Sequence, residues 1–97
     1  VNVEVEKRWD EVSVLRDLSR LKYSCLLISQ NELNEAIELL SKDFNFFKEL
    51  KYEFLGDAQM ESSNVLEAKK NYQIALDISS SEIHKELIKI KLSTIKN

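Results

Sequence analysis

The stretch that decides the fold runs Leu55-Gly56-Asp57-Ala58-Gln59-Met60-Glu61-Ser62-Ser63-Asn64-Val65-Leu66-Glu67-Ala68-Lys69-Lys70-Asn71-Tyr72-Gln73-Ile74-Ala75. On its N-terminal side Phe47, Leu50, Phe54, Leu55 and Ala58 recur at three- and four-residue steps, the spacing of a helix with one apolar face. Leu66, Ala68, Tyr72, Ala75, Leu76 and Ile78 do the same on the other side. Ser62-Ser63-Asn64 is a polar loop between them. Asn64 stands three residues before Glu67, which predicts a capping box: the Asn oxygen accepts a free amide of the first turn and Glu67 reaches back. Gly56 lies inside the first pattern, and Ala68, Tyr72 and Ala75 follow at steps of 12, 4 and 3. A hydrogen at one place and a methyl at the other let two antiparallel helices approach closely, with Tyr72 filling the space beside them.

Reading outward, the whole chain is helical in pattern. Val14, Leu15, Leu18, Leu21, Cys25 and Ile28 predict a long first helix from a cap at Asp10 to about Ser29. Gln30-Asn31 interrupts, and Leu33, Ala36, Ile37 and Leu40 predict a second. Asp43-Phe44-Asn45 reads as the next junction, with Asp43 as the cap of the third helix. Ser79-Ser80-Ser81 separates the fourth helix from a fifth carrying Ile83, Leu87, Ile90, Leu92 and Ile95. Residues 1–9 stay unassigned: Val1, Val3 and Val5 alternate like a strand, but nothing else in the chain would pair with one, and they also suit the tail of an upstream helix. With one glycine and no proline in 97 residues, the tight turns of a sheet protein are missing. The fold class is all-α.

Composition narrows function. A net charge of −3 gives no basic footprint for nucleic acid. No apolar run reaches the ~18 residues of a membrane span, and no signal-peptide pattern opens the chain. A single Cys25 and a single His84 exclude an internal disulfide and an ordinary zinc site, and no cofactor site is expected. The chain opens on Val1 and reads as a piece of something longer.

The fold-deciding stretch has an earlier echo. Tyr23-Ser24, Ala36 and Leu40 take the places of Leu55-Gly56, Ala68 and Tyr72 at a period of 32 residues, and only Asp43 breaks the match, where Ala75 stands later. This is the tetratricopeptide (TPR) pattern, with a period near the usual ~34. It predicts a TPR-like α-solenoid of two antiparallel helix pairs plus a C-terminal capping helix. The chain divides into a first repeat at about 11–43, a second at 44–79 and a cap at 82–96, all within one domain over 1–97.

Beyond the generic repeat, the chain resembles the YfgM-like ancillary subunit of the SecYEG translocon. Leu55-Gly56-Asp57-Ala58-Gln59, the loop to Glu67-Ala68, and Leu87-Ile88-Lys89-Ile90-Lys91-Leu92-Ser93-Thr94-Ile95 fall where that family has its last repeat and its short terminal amphipathic helix. The first repeat, Leu18 to Leu40, aligns with the preceding family repeat, so the resemblance covers about residues 13–97. It implies a bitopic inner-membrane protein with a periplasmic TPR domain, associated with translocon subunits, periplasmic chaperones and exported chains. Membrane contact would come only through an N-terminal anchor absent from this sequence, and Asn97 would lie at or near the natural end. A cytoplasmic TPR adaptor or co-chaperone with another protein partner stays open, because TPR packing residues carry no address.

Candidate chemistry is sparse. His84 is the only general base, and a solvent-facing histidine near a helix start is the expected role, since nothing singles out a serine or an acid for it. Cys25, on the apolar stripe, is expected to be a buried thiol. No enzyme is read here. Charge is more informative: Glu49, Glu53, Asp57 and Glu61 form an acidic ridge at four-residue steps, while Lys85, Lys89, Lys91 and Lys96 make the last helix lean basic. On the TPR template Glu53, Asp57 and Met60 face a groove beside Leu21, Cys25 and Ile28, a candidate seat for a basic, apolar partner segment. The structural reading ranks ahead: the ridge is solvated or pairs with Lys85 and Lys89. On the groove reading, Glu53→Lys with Asp57→Lys weakens partner capture at nearly unchanged thermal stability. Of Phe44, Phe46 and Phe47, one or two are expected between repeats. Trp9 is expected at the open end of the array, as a cover or a self-association contact leading to a homodimer.

Overall fold

A computed structural model describes residues 3–96, the Val5 side chain aside; Val1, Asn2 and Asn97 lie outside the described residues. Five helices follow one another: α1 (Val3–Ser29), α2 (Leu33–Leu40), α3 (Lys48–Glu61), α4 (Val65–Ile78) and α5 (Glu82–Ser93), with no strand among the described residues. Among the described residues, no helix is long and apolar enough to cross a membrane. The all-α, TPR-like solenoid expected from the sequence is the architecture: α1 pairs with α2, α3 with α4, and α5 packs on α4. The array is elongated, 52 × 30 × 17 Å.

The repeat is written in the backbone as well as the side chains. At the end of α1, Glu32 N–H donates to Leu27 O at 2.8 Å across Asn31, whose φ is +62°. At the end of α3, Asn64 N–H donates to Gln59 O at 2.8 Å across Ser63, whose φ is +64°. Both are left-handed helix terminations that satisfy orphan carbonyls by a reach of five residues, and they stand 32 residues apart. The same turn closes both hairpins, and α2 packs on α3 between them.

Three boundaries differ from the expectation. The first helix begins by Val3, not at Asp10, so residues 3–9 are its start rather than a strand or a separate tail. Glu4 and Glu6 favour the positive end of the helix dipole, no breaker intervenes, and extending an existing helix costs little. Asp43 does not cap α3. That place belongs to Phe47, in left-handed conformation, and Asp43 stays exposed in the connection. Asn64 does precede α4, but its side chain accepts no capping bond, so the capping box does not form. Its backbone is held by the termination bond to Gln59, which fixes the entry without the side chain. Among the described residues the one helix-start side-chain cap is Ser81, accepting His84 N–H at 3.2 Å.

The buried side chains fall into three clusters along the array. Leu21, Leu40, Phe44 and Leu55 form one buried cluster, Leu27, Ala36 and Ala58 a second, and Ala68, Tyr72, Ala75 and Ile88 a third. Phe44 is the phenylalanine buried between repeats, with the Arg20 and Lys51 cations 5.5 and 5.4 Å from its ring centre. Phe46 and Phe47 are half-buried. Beneath them Asp17, fully buried on α1, accepts Asn45 N–H at 2.8 Å and Phe46 N–H at 3.0 Å, with Arg16 at 2.9 Å. This carboxylate ties the α2–α3 connection to α1.

Candidate interaction surface

Eight of the nine residues assigned to repeat packing are inside: Ser24, Ala36, Leu40, Leu55, Gly56, Ala68, Tyr72 and Ala75 are all buried. Tyr23 is not. It is 51 % exposed, lining an open cleft between α1 and α2 with Leu27, Glu35, Glu38 and Leu39, while Ser24 and Leu27 are buried. Tyr72 lies directly over Gly56: a β-carbon there would stand 2.7 Å from ring atoms Cδ1 and Cε1. The ring is fixed at its far end, where the hydroxyl donates to Asp57 Oδ1 at 2.6 Å. Burial, and then the Asp57 carboxylate, push the Tyr72 phenol far above its ordinary range, so it is a donor at any accessible pH.

From Asp57 a polar network crosses to α5. Lys91 Nζ donates to Glu53 Oε2 at 2.6 Å and to both Asp57 oxygens at 3.1 Å. Glu53 Oε1 meets His84 Nε2 at 2.5 Å, and His84 Nδ1 meets the Ser79 hydroxyl at 3.2 Å. Glu53 is only 6 % exposed. Burial alone would raise its carboxyl, but the hydrogen bonds from His84 and Lys91 outweigh that and hold it below the usual carboxylate range. Burial alone would lower the Lys91 ammonium; Glu53 and Asp57 outweigh it and raise the group.

Of the six residues expected to line a partner groove, Leu21 and Glu53 are buried, Ile28, Asp57 and Met60 are half-buried, and Cys25 is exposed. Leu21, Ile28 and Met60 belong to the apolar core. Glu53 and Asp57 are bound within the chain, and their partners are Lys91 and His84, whereas Lys85 and Lys89 pair with Glu82 and Glu86 on their own helix. Charge reversal at Glu53 and Asp57 must then cost stability, contrary to the sequence-based expectation. Cys25 is exposed rather than buried. Partial desolvation of its sulfur and then the Asp57 charge still raise its thiol, which keeps it protonated and a poor nucleophile. His84 is not solvent-facing either, because α5 turns it onto Glu53.

Ser79, His84 and Glu53 do fall in a hydrogen-bonded line, an alignment that spacing did not reveal because it joins three elements. Ser79 is 5 % exposed, out of reach of a substrate carbonyl, and Lys91 holds the acid. The line fastens α5 to α3. What the molecule does present is apolar surface on α1. Every described side chain from Val3 to Val12 is exposed, Trp9 at 67 %, and Val14 and Leu15 form an open groove with Phe46, rimmed by Lys7, Asp10 and Glu11.

A tetratricopeptide repeat-like domain is matched over residues 5–97, nearly the whole chain. The chain belongs to the tetratricopeptide repeat-like domain family. Its members are generally non-catalytic protein-interaction modules, and the stacked hairpins accord with an interaction role. Neither a curated protein nor a solved structure matches the chain.

Proposed function

We propose that this TPR-like array is the periplasmic interaction region of a membrane-anchored, translocon-associated subunit that works with chaperones on exported proteins. Two things support the reading: the family assignment across residues 5–97, and the likeness of residues 13–97 to the last two repeats of the YfgM-like subunits. The single structural observation that carries an interaction role is the α1 flank. Trp9, Val12 and Leu15 stand in solvent on a helix about 40 Å long that outruns the hairpins behind it. Exposed Trp beside aliphatic side chains is the composition of a binding hot spot, and a contiguous apolar flank of this kind marks a contact surface. The occupant that fits is a protein helix with apolar residues at three- and four-residue steps, laid along α1 as one solenoid layer lies on the next.

A photo-crosslinking residue at Leu15 of the full-length protein, irradiated in intact cells, tests both parts. Crosslinks to translocon subunits or periplasmic chaperones, lost with Trp9→Ala, are the expected result. Crosslinks confined to cytoplasmic proteins would replace this reading with a cytoplasmic adaptor or co-chaperone, and no protein crosslink at all would overturn the α1 surface.

A further inference from the structure

α5 is attached unlike the other helices. One face carries Ile88, fully buried against Ala68, Tyr72 and Ala75, with Leu92 and Ile95 partly buried beside it. Lys91 and His84 flank that face and bind Glu53 and Asp57 of α3. The opposite face carries Ile83, Leu87 and Ile90 at 78, 52 and 59 % exposure, one helical stripe. The tether to α4 is Ser79-Ser80-Ser81, with Ser79 and Ser81 both in extended backbone conformation. So α5 is a terminal helix held from one side, by a short extended tether, in a seat formed wholly by α3 and α4.

The seat has a definite chemistry. Its floor is Tyr72, Ala68 and Ala75, and its wall is the carboxylate pair Glu53 and Asp57. Without α5, a carboxylate now almost wholly buried would lose both of its hydrogen-bond partners, Lys91 and His84, and the apolar floor would meet water. The seat therefore demands an amphipathic helix that carries a cation three residues after a buried aliphatic, as Lys91 follows Ile88, with further aliphatics at Leu92 and Ile95.

We propose that this seat is an exchangeable helix-binding site, and that its occupant in trans is α5 of a second copy of this chain. Reciprocal exchange forms a two-fold dimer that keeps the contacts of α5 with α3 and α4 and changes only the serine tether, including the Ser79 bond to His84. Proximity favours the helix of the same chain at low concentration, and the second copy takes the seat as concentration rises. This rests on the reading of the chain as an interaction module, and it is independent of the α1 surface and of any compartment.

Charge inversion separates exchange from surface association. One chain carries Lys91→Glu, so its own α5 is repelled from an unaltered seat. A second carries Glu53→Lys with Asp57→Lys, so an unaltered α5 is repelled from its own seat. Mixed in equal amounts, each α5 matches the other chain's seat. Light scattering after size-exclusion chromatography is expected to show single-chain mass for each variant and twice that mass for the mixture, with helical circular dichroism recovered on mixing. A mixture that keeps single-chain mass and gains no helicity overturns the proposal, whether or not the variants fold alone. A fluorescein-labelled peptide of residues 81–97 gives the second readout. It should bind the Lys91→Glu chain at least tenfold more tightly than the Glu53→Lys/Asp57→Lys chain, and equal binding by both, or none by either, overturns the site. Loss of crosslinks from Leu15 would leave these results unchanged, so the two proposals fail separately.

Discussion

The Tyr72 ring occupies the place a β-carbon on Gly56 would need: the ideal position lies 2.7 Å from two ring atoms, and the ring is anchored by its hydroxyl on Asp57 at 2.6 Å. The only glycine of the chain is thus required by close approach, since it adopts ordinary helical backbone and no positive φ. Gly56→Ala gains ~1 kcal/mol of helix propensity but overpacks the contact at a cost of about 1–3 kcal/mol. The expected outcome is a net loss near 1 kcal/mol, a fall in Tm of about 4–8 °C. Adding Tyr72→Leu should remove most of the clash, so the two changes together cost less than their sum. A higher Tm for Gly56→Ala alone would show that the contact does not constrain the hairpin.

Lys91 and Lys89 look alike in sequence and differ in environment. Lys91→Met leaves Glu53 and Asp57 facing each other across a largely buried space. Breaking a buried pair costs about 3–5 kcal/mol, and because Lys91 is one-third exposed the expected loss is smaller, about 2 kcal/mol. Lys89→Met removes an exposed pair with Glu86 and should cost at most ~0.5 kcal/mol. Urea midpoints of the two variants measure the contrast.

Acid should loosen the array through Glu53. Its carboxyl lies below the ordinary range in the folded chain, so the stability it contributes is complete above the unfolded value and is lost as pH falls through the folded one. Lys91, raised in the folded chain, contributes below the ordinary lysine range and loses that contribution as pH climbs through the raised value. Stability is therefore expected to fall at both extremes. Glu53→Gln should flatten the acid limb below the ordinary glutamate range without abolishing it, because Asp17 is depressed as well. Burial pushes Asp17 up, but Arg16 and the amides of Phe46 and Asn45 pull it further down. An acid limb of unchanged steepness in Glu53→Gln would contradict the assignment.

Asp17 joins α1 to the connection before α3, and its loss should act there. Asp17→Ala takes the acceptor from two partly buried amides and should cost about 1–3 kcal/mol. Hydrogen exchange is expected to quicken at Asn45 and Phe46 before it quickens in α4. Uniform acceleration over the whole chain would mean that the carboxylate serves global stability and not this junction.

The sequence by itself determined the helices, the 32-residue repeat and the face each hairpin buries. Those are local or short-range matters: apolar steps of three and four, a glycine 12 residues before an alanine, and the want of turn residues. The eight buried packing residues follow from them because each lies within one hairpin. Helix ends were less legible. A termination through positive φ at Asn31 and Ser63 leaves no residue signature as clear as glycine, and the start of α1 depends on an existing helix being extended.

The tertiary structure alone decided what the charged and reactive residues do. Four acids at four-residue steps on α3 read as one ridge, but only Glu53 and Asp57 come within reach of α5, 34 or 38 residues away from Lys91. Whether a cation nine residues into the last helix faces those acids, or a lysine two residues earlier does, depends on how α5 rotates about its axis. That rotation is set by Ile88 entering the floor of Tyr72, Ala68 and Ala75. Spacing within a helix says which side chains share a face; it cannot say which neighbour the face will meet, and the roles of Cys25, His84, Glu53 and Asp57 all turned on that.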